Sequence, residues 1–251
     1  MHLDIESLER ATLDAVAPPS MEALPDWLLP FDSGTVGRAT SAVPLRHQAL
    51  DPEIIPWIES RYAARGLQAQ FRIAEVDGLK EVTKRLRQLG YSAHKPTLTM
   101  SSKLADWPLH PMNWEPQLSG NPTASWQVVY MAAEFDVIDG ANRVRALSRS
   151  TCATYAWIED AQKPIAAATA AISHGWLSLH GLRTRARAQN LGCASALINC
   201  LRNYAKTQGI QNCFLQVEEE NAPAIRLYNR LGFETAWRYH YWRKSINSEI
   251  C

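Results

Sequence analysis

The chain reads as an α/β protein, a mixed sheet flanked by helices, on three observations. Segments of the C-terminal half follow one another in the order β-β-β-α-β-α-β. Both helical segments there run into a glycine, at Gly209 and Gly232. The N-terminal half repeats part of the same cadence, strand, helix, glycine and aromatic residue.

In the first half, DWLLPFD and RATSAVPL are strand-like. A helix is expected from Asp51-Pro52, with Ile54, Ile55, Ile58 and Tyr62 on one face and Gly66 as its stop. LQAQFRIAEV then predicts a strand, and Leu79, Val82, Leu86 and Leu89 a helix that ends at Gly90-Tyr91. Pro96 to Ser101 is a further strand. Between residues 102 and 127, Pro108, Pro111, Pro116 and Pro122 disfavour a long helix and leave a packed loop or a wall of a substrate site.

In the second half, Ser150 to Trp157, Ile165 to Ser173 and Trp176 to Thr184 predict three strands, broken at Lys163-Pro164 and turned at His174-Gly175. Ala194, Leu197, Ile198, Leu201, Tyr204 and Ala205 fall at helical spacing. Cys213 to Val217 is a short strand, Asn221 an N-cap with Pro223 in the first turn, and Ala224, Leu227, Tyr228 and Leu231 a second helical face. An aromatic strand closes the order from Phe233 to Trp242. Its Trp237, Tyr239, Tyr241 and Trp242 suit a pocket wall, an exposed edge or a homodimer contact equally.

Gly66-Leu67-Gln68 with Phe71 matches Gly209-Ile210-Gln211 with Phe214 at constant offset, and RLRQLGY matches LYNRLGF after a slip of one residue. The reading is a tandem arrangement, residues 1–95 a degenerate half and 96–251 the working domain.

Composition narrows the function classes. With 251 residues, 46% of them hydrophobic, and a net charge of +1, no global field draws the chain to nucleic acid or an anionic membrane. No apolar run reaches the roughly 20 residues of a membrane helix, and MHLDIESLERATLDAV is not a secretory signal, so a cytoplasmic protein is expected. The five cysteines form no CxxC pair, so they are expected as reduced core thiols rather than metal ligands or disulfides.

Chemistry concentrates between Arg183 and Ser195. A strand ends there, a loop with Gly192 at its turn follows, and a long helix opens. A helix N-terminus leaves backbone N–H groups unpaired and carries partial positive charge, so it favours an anion. Gly192 permits close approach of a ligand, and Ala194 keeps the first turn uncrowded. Arg183, Arg185 and Arg187 alternate just upstream, where they either add charge for a polyphosphate or form a solvated edge.

Gln189-x-x-Gly192-x-Ala194 resembles the Q/R-x-x-G-x-G/A signature of the GNAT N-acetyltransferases. Val217-x-x-x-Asn221-x-x-Ala224-x-x-Leu227-Tyr228-x-x-Leu231-Gly232-Phe233 is similar to that family's next strand and helix. The resemblance implies an acetyl-CoA-dependent transfer to an amine (small molecule, amino acid or peptide N-terminus), with no metal. It implies that Leu182 and Thr184, flanking Arg183, pair through their backbone with the thioester arm. Gln189, Asn190, Leu191, Gly192, Cys193, Ala194 and Ser195 would hold the pyrophosphate. Asn221 would touch the pantetheine arm or cap its helix, and Tyr228 would protonate the leaving thiolate or simply pack. Asn190 and Ala186 depart from the usual glycine or arginine and proline, but both keep their N–H.

Direct attack by an amine requires that a proton be removed. His180, two residues before Leu182 and so on the same side by strand alternation, is the first candidate base, and Glu218 the second. The equivalent loop of the first half, LRHQALDPEI, has no glycine and carries Asp51 at the helix start, so residues 1–95 are expected to pack on the active half or shape the acceptor pocket. A non-catalytic acyl-CoA-binding module is the competing reading.

Overall fold

The computed structural model describes residues 3–107 and 113–244. The first half runs α1 (Ile5–Val16), β1 (Ser20–Ala23), β2 (Trp27–Phe31), α2 (Gly37–Thr40), β3 (Val43–Pro44), α3 (Ile55–Ala63), β4 (Phe71–Ala74), α4 (Lys80–Gln88) and β5 (Tyr91–Lys103). The second runs β6 (Gln117–Ser119), α5 (Ala124–Tyr130), α6 (Val137–Ser148), β7 (Ala153–Asp160), β8 (Lys163–Ser173), β9 (Trp176–Thr184), α7 (Cys193–Thr207), β10 (Asn212–Glu218), α8 (Ala222–Arg230) and β11 (Glu234–Lys244).

β1, β2 and β3 form a small antiparallel sheet, and the other eight strands a mixed sheet in the order β4-β11-β5-β10-β9-β8-β7-β6. A parallel bridge from Ala42 to Phe71 joins the two. The halves exchange strands: β10 pairs with β5, β4 with β11, and β5 and β11 lie side by side at the centre. The boundary expected at 95/96 therefore falls inside β5, a strand that hydrogen-bonds to both neighbours from the second half. β11 is interior, not an edge; its Trp237, Tyr239, Tyr241 and Trp242 are buried.

The local grammar is ordinary. Gly66, Gly90, Gly209 and Gly232 follow their helices with positive φ, where a Cβ would crowd the carbonyl oxygen. Asp4, Thr123, Asp136 and Asn221 cap helices with side-chain oxygens on backbone N–H groups. Three parts depart from the sequence expectation. RATSAVPL is not one strand: Gly37–Thr40 turns into α2, leaving only Val43–Pro44 in β3. The proline-rich stretch contains β6 and the start of α5, and α1 and α6 are additional helices.

One apolar cluster joins α1, β2, α3, β4, α4 and β11, and a second joins β8, β9, β10, α7 and α8. Within the first, Arg72 on β4 reaches Glu9 on α1 at 2.6 Å, both almost wholly buried, with the guanidinium over the ring of Tyr239. Burial opposes the charge on each partner. Glu9 and the neighbouring tyrosines nevertheless hold the pKa of Arg72 above its ordinary value, whereas burial leaves that of Glu9 raised, with Arg72 offsetting part of the rise. Removing one partner strands a buried charge, which typically costs about 3–5 kcal/mol. Glu9→Ala should therefore lower the unfolding free energy from a denaturant titration by that order, while Glu9→Leu combined with Arg72→Met should recover most of the loss in the same titration.

Candidate active site

β9 and β10 run parallel in register from Trp176↔Asn212 to Leu179↔Leu215, and no further. Beyond that point each is held by its outer neighbour: β10 by β5 as far as Thr97↔Glu218, β9 by β8 as far as Ala166↔Thr184. The inner edges of His180 to Arg183 and of Gln216 to Glu218 are thereby left facing a cleft of about 380 Å³.

A β-bulge produces the divergence. His180 lies opposite Thr169 and Arg183 opposite Ala167, so Gly181 and Leu182 together face Ala168. Gly181 has φ 59°, and a Cβ there would sit 2.8 Å from Tyr130 Oη. Tyr130 Oη donates to the Gly181 carbonyl at 2.5 Å; burial pushes this phenol up to about 12, so it stays a donor at neutral pH. The bulge interrupts strict alternation, and His180, Gly181, Leu182 and Arg183 all line the cleft.

His180 is 3% exposed, and neither ring nitrogen has a hydrogen-bond partner among the described residues. Burial first, and then the charge of Arg38, lowers its pKa well below the ordinary value, so the ring is neutral at pH 7. Tyr228 on α8 also lines the cleft; burial raises its hydroxyl to about 12. Glu218, at the end of β10, is more than half exposed at the cleft and lies 4.0 Å from Lys95 Nζ. Asn221 borders the cleft, and its side chain accepts from Ala224 N–H at 3.2 Å, which makes it the cap of α8.

The loop before α7 lies apart from this cleft; none of residues 189–195 is among its walls. Gly192, at φ 83°, is the N-cap of α7, and Asn190 is also left-handed at φ 62°. Among the described residues, the N–H groups of residues 190–195 find no acceptor. Trp114 Nε1 donates to the Leu191 carbonyl at 2.8 Å and fixes the loop from outside. Cys193 points into the core. Of the arginines upstream, Arg183 donates to Asp139 on α6 at 2.6 Å and Arg185 to Glu134 at 3.1 Å, so both are engaged with carboxylates of the chain itself. Thr184 continues the ladder with β8.

The cleft also takes residues that belong to no recognisable motif. Thr35 to Arg38 enter from α2 and the turn before it, Asp139 and Arg143 from α6, and Tyr239, Tyr241 and Arg243 from β11. The aromatic character of β11 suits a pocket wall, and the sequence of residues 1–95 predicts only a half that packs on the active half or shapes the acceptor pocket.

The family model for the C-terminal region of Rv0428c, described as a probable histone acetyltransferase, matches residues 3–242. The chain belongs to this family of GNAT N-acetyltransferases. It is similar to the uncharacterized N-acetyltransferase YobR of Bacillus subtilis, 23% identical over 256 residues and covering 95% of this chain and 98% of that one. Its fold is that of the GCN5-related N-acetyltransferase from Kribbella flavida, with TM-score 0.68, 17% identity and 96% of each chain covered. It is also that of a tandem GNAT protein from the clavulanic acid biosynthesis pathway, with TM-score 0.63, 12% identity and coverage of 96% and 95%. The chain is thus an acyltransferase.

The neutral histidines of this acetyltransferase give its stability a defined pH dependence. Burial depresses the pKa of His180 strongly and that of His47 to about 4. Below the unfolded value of about 6.5 the unfolded chain binds protons that the folded chain refuses, so stability falls as pH falls. Each group contributes a slope of up to about 1.36 kcal/mol per pH unit, and that of His47 levels off below its folded value. Denaturant unfolding between pH 7.5 and 5 should show the decline, and His180→Gln should make it shallower, leaving the part due to His47.

Proposed function

We propose that the protein transfers the acetyl group of acetyl-CoA directly to an amine bound in the cleft, with residues 96–251 carrying the chemistry and residues 1–95, a degenerate half repeat, closing the acceptor side. The observation that carries this is the parting of β9 and β10 beyond Leu179 and Leu215, which leaves two strand edges able to hydrogen-bond an extended arm. The free N–H groups of residues 190–195 and the partial charge of the α7 N-terminus fit a pyrophosphate. Acetyl-CoA supplies a thioester, whose acetyl carbon would form a bond to the amine nitrogen as its bond to sulfur breaks, releasing the thiol and the amine proton. Leu182 and Thr184 would align the arm, with Arg183 tied back by Asp139.

The chain's own residues divide the proton work. Tyr228, neutral and in the cleft, can donate to the departing thiolate. His180 offers a neutral ring nitrogen as acceptor for the amine N–H, and its reluctance to hold charge makes it a relay rather than a proton store. Glu218, exposed at the rim, can receive the proton next to solvent. The matching family is described by a histone acetyltransferase. Carried to this chain, that would make the acceptor a lysine in a basic tail, and the cationic lining of this cleft argues against it.

Two measurements test the reading. Acetyl-CoA should raise the melting temperature, since a ligand of the native state adds RT ln(1 + [L]/Kd), and Gly192→Asp should erase the rise because a carboxylate enters the anion cradle. Gly192→Asn, of similar bulk without charge, should keep part of it; an unchanged rise in the aspartate variant would remove the loop assignment. Tyr228→Phe should lower kcat by about 10²-fold or more while leaving the acetyl-CoA melting shift intact. If affinity falls as much as rate, Tyr228 is a binding residue.

A further inference from the structure

Charge in the cleft does not balance. Asp139 answers Arg143 and Arg183, with each guanidinium 2.6 Å from Oδ2, and Glu218 answers Lys95. Arg243 lies over the Tyr241 ring at 5.8 Å, and Arg38 donates only to Gln216 Oε1 at 3.2 Å. Neither has a carboxylate at ion-pair distance among the described residues, although the charge of Arg38 reaches the buried Glu9, so the cleft lining carries an excess of positive charge.

The position of Arg38 follows from its neighbour. Gly37 brings α2 so close to β11 that a Cβ would lie 2.7 Å from the Tyr241 ring. The adjoining guanidinium is thus aimed into a cleft also walled by His180, Tyr228 and Tyr239. Burial is the largest influence on the pKa of each of these three, and the charge of Arg38 acts on all of them to lower it. Arg38 lines this cleft, whose walls include none of residues 189–195. A guanidinium presents parallel N–H donors that match an oxyanion, carboxylate or phosphate, in a bidentate fork.

We propose that the acceptor is a small amine that also carries an oxyanion, held by Arg38 with Arg243 beside it, so that the amine nitrogen lies toward His180 and the split between β9 and β10. This deepens the acetyl-transfer reading and rests on it. Once the oxyanion is paired with Arg38, Arg243 remains as positive charge in the lining, which disfavours an ammonium there. Residues 1–95 then have a specific role, because α2 brings the anion-recognising side chain to a site whose remaining chemistry belongs to the second half.

The test compares matched acceptors on the full chain with acetyl-CoA: α-amino acids against their carboxamides, and aminoalkyl phosphates against aminoalkyl alcohols. Either the carboxylate or the phosphate series should exceed its neutral partner by at least about tenfold in kcat/KM, consistent with a charge-assisted bidentate contact. Arg38→Met should collapse the ratio toward one, with the acetyl-CoA melting shift retained, and Arg38→Lys should restore part of it. A calorimetric titration of the N-acetylated products, acid against amide, reads the same preference without turnover. Equal or better use of the neutral amines, or a ratio that Arg38→Met leaves unchanged, overturns the proposal while leaving acetyl transfer standing. Loss of the acetyl-CoA melting shift in the unaltered chain would instead overturn the transfer reading. Product anions that bind no better than their amides overturn the oxyanion site even if no amine turns over.

Discussion

The working arrangement depends on one backbone irregularity, the bulge at Gly181. A parallel pair such as β9 and β10 would normally continue its ladder to the strand ends, leaving nothing for a ligand to bind. The extra residue turns β9 away after Leu179 while β8 still holds its outer edge and β5 still holds β10. The unmet N–H and C=O groups are thus a product of sheet geometry, and they persist because the flanking ladders are complete. Gly181 has to be a glycine twice over, for its positive φ and for the Tyr130 hydroxyl against it.

The second constraint is the exchange of strands between halves. Because β4 pairs with β11 and β10 with β5, neither half completes its sheet from its own residues. The tyrosines of β11 and the α2 segment meet over the same cleft, and the small β1-β2-β3 sheet is tied in through Ala42. The Glu9–Arg72 pair sits at this junction, linking α1 to β4 beneath Tyr239, and Trp176 Nε1 donates to Ser7 Oγ to bind α1 to β9. The first half is therefore structural support and site wall at once.

What was legible in the sequence follows from the range of the interactions involved. Helix faces, glycine stops, the Asn221 cap and the loop at Gly192 are written within a few residues, and the structure has them where the spacing put them. The short helix α2 was hidden because Arg38-Ala39-Thr40 is β-tolerant and its fold is set by contact with Tyr241. α6 has an apolar pattern too weak to register, and its significance lies in Asp139 facing Arg143 and Arg183. The alternation argument reached His180 for an incomplete reason, since it ignored the bulge that Gly181 announces. Arg183 and Arg185 suit a polyphosphate when read in isolation and are instead neutralised by acidic residues 44 and 51 positions away.

The electrostatics of the cleft bear on where a proton can rest during acetyl transfer. Burial and Arg38 both oppose a charge on His180, and the surrounding guanidinium groups oppose an ammonium beside it. A positive intermediate is therefore poorly tolerated at the back of the cleft, while a developing negative charge is favoured there. Tyr228, kept protonated by burial, can meet that negative charge with a hydrogen bond. An amine arriving with its own anion pairs with the unmatched guanidinium of Arg38, while Arg243 remains as positive charge that disfavours an ammonium beside it. On the proposed reading, acceptor recognition falls to a side chain that α2 contributes, in the half of the molecule opposite the loop before α7.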